Sequence, residues 1–140
     1  FVLCGGPGWQ AQITDPDMLT FLRRLPAGTA ASVCTGGLIL AAAGLLDGRR
    51  ATTRRHAAGT EPAAPLARLG TLAATAAPIE AAIVEDRGIV TSGGVSLAID
   101  GMLYLIGRVY GEEVRDEIAR LIEYDRAFQA NRAALGHSVS

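Results

Sequence analysis

The residues best suited to covalent chemistry lie in one run, Ala30-Ala31-Ser32-Val33-Cys34-Thr35-Gly36-Gly37. An extended stretch of small residues meets a predicted helix at Cys34. A thiol becomes a good nucleophile when its thiolate is stabilised, as it is at the amino end of a helix. Gly36 and Gly37 let the backbone turn tightly and let a second loop approach. The amides of Thr35 and Gly36 would then face whatever the sulfur attacks, ready to hold a developing oxyanion. The layout matches a nucleophile elbow in kind, though not the serine-hydrolase consensus by letter. The competing reading is a buried, inert cysteine at a strand end. Cys4 precedes Gly5-Gly6 rather than a helix start, and is read as structural.

Other polar residues give weaker signals. Asp100 interrupts an apolar helical stripe and is read as a buried acid bonded to nearby backbone or serine, against a pocket carboxylate. Trp9 either walls a pocket or covers a dimer seam. Asp15 and Asp17 resemble a carboxylate pair, but Asp15-Pro16 is a helix start, with a capping aspartate and proline at the first helical position. His137, among small polar residues, is expected to be solvated.

The elements that must carry these groups alternate. Phe1 to Cys4 reads as a parallel strand stopped by Gly5-Gly6-Pro7-Gly8. A helix follows from Asp15 to Leu25, then a strand over Thr29 to Val33 and a helix from about Thr35 to Leu46. Arg50 to Thr53 is a short strand. A helix from about Ala63 to Leu69 is closed by Gly70, and Leu72 to Ala76 is a strand candidate. Ala81 to Glu85 turns at Asp86-Arg87-Gly88 into Ile89-Val90-Thr91 as a hairpin. A long helix, Val95 to Tyr110, has Ile99, Met102, Leu103, Ile106 and Val109 as its buried stripe. Glu112 to Tyr124 makes a last helix, and the tail from about Ala127 is expected to fray. Strands alternating with helices imply one α/β domain over residues 1–140: a three-layer sandwich with a mainly parallel sheet covered on both faces.

Composition excludes several classes. Thirteen cations, all arginine, face 14 anions, so a bulk nucleic-acid or anionic-membrane partner is not expected. Two cysteines are too few for a disulfide framework or a zinc site, so no metal is expected and a reducing, cytoplasmic setting is. Apolar stretches are broken before membrane-spanning length. Because Phe1-Val2-Leu3 already reads as a buried strand, further residues are expected to precede it.

Ser32-Val33-Cys34-Thr35-Gly36, followed by Leu40-Ala41-Ala42-Ala43-Gly44-Leu45-Leu46-Asp47-Gly48-Arg49-Arg50-Ala51-Thr52-Thr53, resembles the PfpI/ThiJ superfamily. Gly5-Gly6 after a strand, Val90-Thr91-Ser92-Gly93-Gly94-Val95-Ser96 with Ile99-Asp100, and Glu123-Tyr124-Asp125 extend the likeness over nearly the whole chain. The branch most similar is the isonitrile-hydratase-like one, which also supplies sensor domains of AraC-type regulators. The resemblance implies a class I glutamine-amidotransferase-like, flavodoxin-like fold lacking its N-terminal strand. It implies Cys34 as the elbow nucleophile and Thr35 as a pocket residue beside it. Gly5 and Gly6 would form the loop whose amide completes the oxyanion site begun by Gly36. The family's partner acid would lie on a strand preceding Phe1. Where the family usually places histidine then tryptophan after the Thr-Thr pair, this chain has Arg54 and Arg55, then His56. Arg54 either binds an anionic group or is solvated with Arg55, and His56 is a candidate stand-in base. Cys4 occupies a position where the family usually has proline.

Two kinds of function follow from the resemblance. One is a cysteine-dependent hydratase adding water to an isonitrile to give an N-substituted formamide, with no cofactor. The other is a ligand- or oxidation-sensing domain of an AraC-type regulator, with no nucleic acid bound by this domain itself. Deglycase, glyoxalase or amidase action is a further superfamily chemistry. A small-molecule substrate and a homodimer are expected in each case.

Overall fold

In the computed structural model, which describes residues 1–140, the chain builds a five-stranded sheet between two layers of helices. Strands β1 (Val2–Leu3) and β2 (Ala31–Val33) are parallel, with Leu3 beside Ser32. On the far side of β2 lies β6 (Ile89–Ser92), also parallel, with Ser32 beside Thr91. The strand β5 (Ile83–Asp86) pairs antiparallel with β6 as the expected hairpin, and β7 (His137–Val139) pairs parallel with β5. Sheet order is thus β1-β2-β6-β5-β7. A separate parallel pair joins β3 (Arg50–Ala51) to β4 (Ala77–Pro78).

One face of the sheet is covered by α1 (Trp9–Gln12), α2 (Pro16–Arg23), α3 (Gly36–Ala42) and α4 (Pro65–Leu72). Their core includes Leu3, Leu22, Leu38, Leu40, Leu46 and Leu69, and each fully buried leucine contributes about 2 kcal/mol. The other face is covered by α5 (Leu97–Tyr110), with Leu97 packed on Ala31, Ile83 and Val90. Outside it lie α6 (Glu112–Leu121) and α7 (Asp125–Leu135), joined to α5 through Leu103, Ala119 and Phe128. No helix is long and apolar enough to cross a membrane.

Local signals hold where a cap enforces them. The Asp15 carboxylate accepts from the amides of Asp17 and Met18, starting α2 as expected. Helix α3 stops at Ala42, short of the expected Leu46. The Leu45 amide reaches back to the Leu40 carbonyl and the Gly44 amide to Ala41, a C-terminal capping pattern with Gly44 at φ +81°. Gly70 does not close α4, which runs on to Leu72. The expected strand over Leu72 to Ala76 is helix end and turn, and strand pairing starts only at Ala77.

Two expectations fail for tertiary reasons. Of the stripe assigned to the long helix, Leu103 is buried, but Ile99, Met102 and Val109 face outward. That helix is apolar around most of its girth, so periodicity does not single out one face. The sheet selects the side carrying Gly101, where a Cβ would stand 2.8 Å from the Ser92 Cβ. The tail does not fray. It forms α7 and β7, anchored by buried Phe128 and by pairing with β5.

Candidate active site

Residues at the carboxyl ends of β1, β2 and β6 converge on Cys34. Cys34 has φ +53°, a left-handed conformation that costs a non-glycine residue about 1–2 kcal/mol. Neighbouring loops hold it there. Its amide donates to the Gly93 carbonyl at 3.2 Å, and its carbonyl accepts from the Thr53 hydroxyl at 2.6 Å. The result is the strand-turn-helix elbow expected from the sequence, with Thr35 as the N-cap of α3.

Glycines let the loops close around the sulfur. A Cβ on Gly5 would lie 2.5 Å from the Thr35 hydroxyl, 2.6 Å from its amide nitrogen and 3.0 Å from the Cys34 Cβ. A Cβ on Gly94 would collide with the Cys34 sulfur and stand 2.6 Å from its Cβ. Gly36 opens α3 with its Cα against the Leu3 carbonyl, where a side chain has no room. The Gly6 amide donates to the Thr35 hydroxyl at 3.0 Å, tying the β1 loop to the elbow. The Thr35 amide itself donates to no protein acceptor, which leaves it available to an incoming oxygen.

Cys34 is half-buried at the floor of a cleft of about 500 Å³. Gly6, Thr35 and Arg54 line the same cleft, so the structure brings together most of the residues singled out in the sequence. His56 is exposed and does not line it; its carbonyl accepts from Arg54. Trp9 is a wall of the cleft, buried to 4% exposure. Cys4 is exposed rather than packed in the core, because β1 is the edge strand of the sheet.

The solvated reading is corrected for Arg54, whereas Arg55 stays at the surface. Arg54 places one nitrogen 2.6 and 2.7 Å from the two carboxylate oxygens of Glu61, and Arg55 pairs with Glu80 at 3.0 Å. Glu61 also accepts from the Ala58 amide at 2.9 Å and the Trp9 indole at 3.4 Å. The Ala58 amide, assisted by Trp9 and Arg54, holds its carboxyl below the usual range, so Glu61 stays ionised. Sequence reasoning passed over Glu61. Its one signal was an acid set seven residues after Arg54 in a stretch of small residues, and spacing in a loop does not specify a contact.

Asp100 belongs elsewhere. It lies on α5 itself, fully buried, and its partners on other elements are not serine. The Tyr124 hydroxyl donates to it at 2.8 Å and the Asn131 amide at 3.1 and 3.3 Å. Burial raises its carboxyl above the usual value. His137 is likewise not solvated: it packs on Tyr104 and Phe128 with its Nε2 buried and unpaired. No three His, Cys, Asp or Glu side chains converge in metal-binding geometry.

The model of the DJ-1/PfpI family matches residues 1–107. The isonitrile hydratase of Pseudomonas putida is 36% identical over 127 residues, which are 88% of this chain and 51% of that protein. The HTH-type transcriptional regulator GbdR of Pseudomonas aeruginosa is 35% identical over 133 residues, covering 89% of this chain and 32% of the regulator. A solved structure of a THiJ/PfpI family protein from Pseudomonas syringae superposes with a TM-score of 0.71 at 30% identity, covering 89% of this chain and 49% of the other. The chain therefore spans about half the length of the hydratase and a third of the regulator.

Proposed function

This chain belongs to the DJ-1/PfpI family, and from that premise we propose that Cys34 is the nucleophile of a hydratase that converts isonitriles to N-substituted formamides. The observation that carries this reading is the left-handed Cys34 at the floor of an open cleft, beside the unpaired Thr35 amide.

In the proposed reaction the Cys34 sulfur bonds to the isonitrile carbon, and a proton is delivered to that carbon to give a thioimidate. Water adds to the same carbon while the nitrogen is protonated. The carbon–sulfur bond then breaks, the formamide leaves and the thiol is restored. Oxygen arriving at the carbon would meet the Thr35 amide, with Gly5, Gly6 and Gly36 shaping the space around it. Proton transfer is assigned to a group other than Glu61, which is held ionised, and His56 is exposed and does not line the cleft. The reading includes one domain over residues 1–140, a homodimer and a cytoplasmic setting, with neither metal nor cofactor.

The test is incubation with a simple aliphatic isonitrile, following the formamide by NMR. The expected outcome is turnover that disappears in Cys34→Ser; equal formamide from both proteins ends the mechanism. The likeness to GbdR supports a second reading, a sensor domain that binds a small molecule at the same cleft without turnover. Ligand-induced thermal stabilisation without product formation would select it, and consumption of a glyoxal but not an isonitrile would select a carbonyl chemistry at Cys34.

A further inference from the structure

The elbow chemistry makes no use of the one charged pair that lines its cleft. Arg54 and Glu61 are the only cation and the only anion among the lining residues. Their side chains are 13% and 16% exposed, so both are largely withdrawn from water. Glu61 takes up one terminal nitrogen of Arg54, and the second terminal nitrogen donates to the His56 carbonyl at 3.0 Å. The Glu61 oxygens are in turn occupied by Arg54, Ala58 and Trp9. The remaining wall near the sulfur includes Pro7, Trp9 and Val95, which carry no charge.

An anion entering such a cleft loses hydration and meets no free cation among the lining residues, since Arg68 lies against the Trp9 ring and is not one of them, whereas an uncharged molecule loses little. Resting on the reading of Cys34 as nucleophile, we infer that Glu61 masks the Arg54 guanidinium, so that the cleft selects uncharged electrophiles with an apolar tail over anionic ones. Without the carboxylate, Arg54 would offer charge-assisted hydrogen bonds to an anion above the same sulfur. Glu61 is then a specificity-determining residue that need not touch the reacting carbon.

Two thiol reagents of similar size test this without reference to turnover. Iodoacetamide is neutral and iodoacetate is anionic. Each forms a sulfur–carbon bond to Cys34 as the carbon–iodine bond breaks and iodide leaves. Exposed Cys4 is replaced by serine in every protein, and the Cys34 peptide is quantified by mass spectrometry. The readout is the iodoacetamide-to-iodoacetate rate ratio, divided by the same ratio for a free thiol. With the pair intact, the normalised ratio is expected to lie above one and to change little between low and high salt.

Glu61→Gln keeps a polar partner for Trp9 and is expected to move the ratio about tenfold toward iodoacetate, the gain a focused single charge can supply. Arg54→Gln leaves the carboxylate alone and should move it the opposite way. The double replacement should return it to the starting value. A Glu61→Gln ratio within about twofold of the parent overturns the inference, and so does a parent ratio that shifts by more than about twofold with salt. The salt measurement needs no variant at either position, so it stands even if one fails to fold. Should both reagents leave Cys34 unmodified, the nucleophile reading falls and the inference with it. Alkylation with an unmoved ratio sinks the masking alone.

Discussion

Glu61 and Asp100 both lose most of their water in this fold, and they end in opposite electrical states. Glu61 sits in the wall of the Cys34 cleft against the Ala58 amide, with the Trp9 indole and the Arg54 guanidinium assisting, and is held ionised. Asp100, on the buried side of α5, has a phenol and an amide as its partners and no cation, and burial pushes its carboxyl toward the neutral form. Burial, and then the hydrogen bond to Asp100, drives the Tyr124 hydroxyl up to about 12. The contrast shows that the partner set decides what an acid does here. A carboxylate next to a backbone amide and a cation shapes the charge of an open cleft, while one among neutral donors ties α5 to α7.

The division of labour can be broken from either side. Cys34→Ala should have the largest effect, lowering turnover at least about 1,000-fold while leaving the unfolding midpoint near that of the parent. Loss of stability without loss of turnover would erase the distinction between the two regions. Asp100→Ala leaves the Tyr124 hydroxyl and the Asn131 amide without their acceptor. It should cost about 2–4 kcal/mol in denaturant unfolding, with the Cys34 alkylation rate unchanged. Gly5→Ala should do the reverse: its methyl enters the space beside the Thr35 amide, reducing turnover at least about tenfold for a smaller loss of stability of about 1–2 kcal/mol.

The smallest effects concern pH. The carboxyl of Asp100 titrates higher in the native state than its ordinary 3.8, so the folded form binds the proton more tightly. Its contribution to stability therefore falls as pH rises from about that ordinary value through the native one, and Asp100→Asn should flatten this limb. His137 acts in the opposite direction. Burial, with help from Arg132 and Arg115, lowers it from 6.5 to about 4. The unfolded chain takes up that proton first, so stability is lost as pH falls from 6.5 toward 4. His137→Phe should reduce the loss, as read from thermal midpoints across that interval.

The elbow was legible because its signals are local. A small extended run, a cysteine and two glycines at a helix start describe one turn whatever the rest of the chain does, and Asp15-Pro16 marks α2 in the same way. The hairpin at Asp86-Arg87-Gly88 follows the same rule. The route of the carboxyl-terminal residues was not legible. Residues from Ala127 onward carry a mixed pattern, and α7 exists because Phe128 fills a gap beside Leu103 and Asn131 reaches Asp100. The outward turn of Ile99, Met102 and Val109 was hidden for a related reason, since the sheet chose the helix face with the smallest residue.

From the residues alone came the alternating α/β order, the strand-turn-helix seat of Cys34 and the loop glycines that crowd it, because turn chemistry and hydrophobic period act over a few neighbours. Tertiary structure decided that Arg54 meets Glu61, that Trp9 walls the cleft, that Asp100 is sealed under Tyr124 and Asn131, and that Cys4 lies exposed on an edge strand. Those outcomes depend on where loops distant in sequence come to rest. A charge or a ring has no preferred partner until burial removes the water that would otherwise serve it.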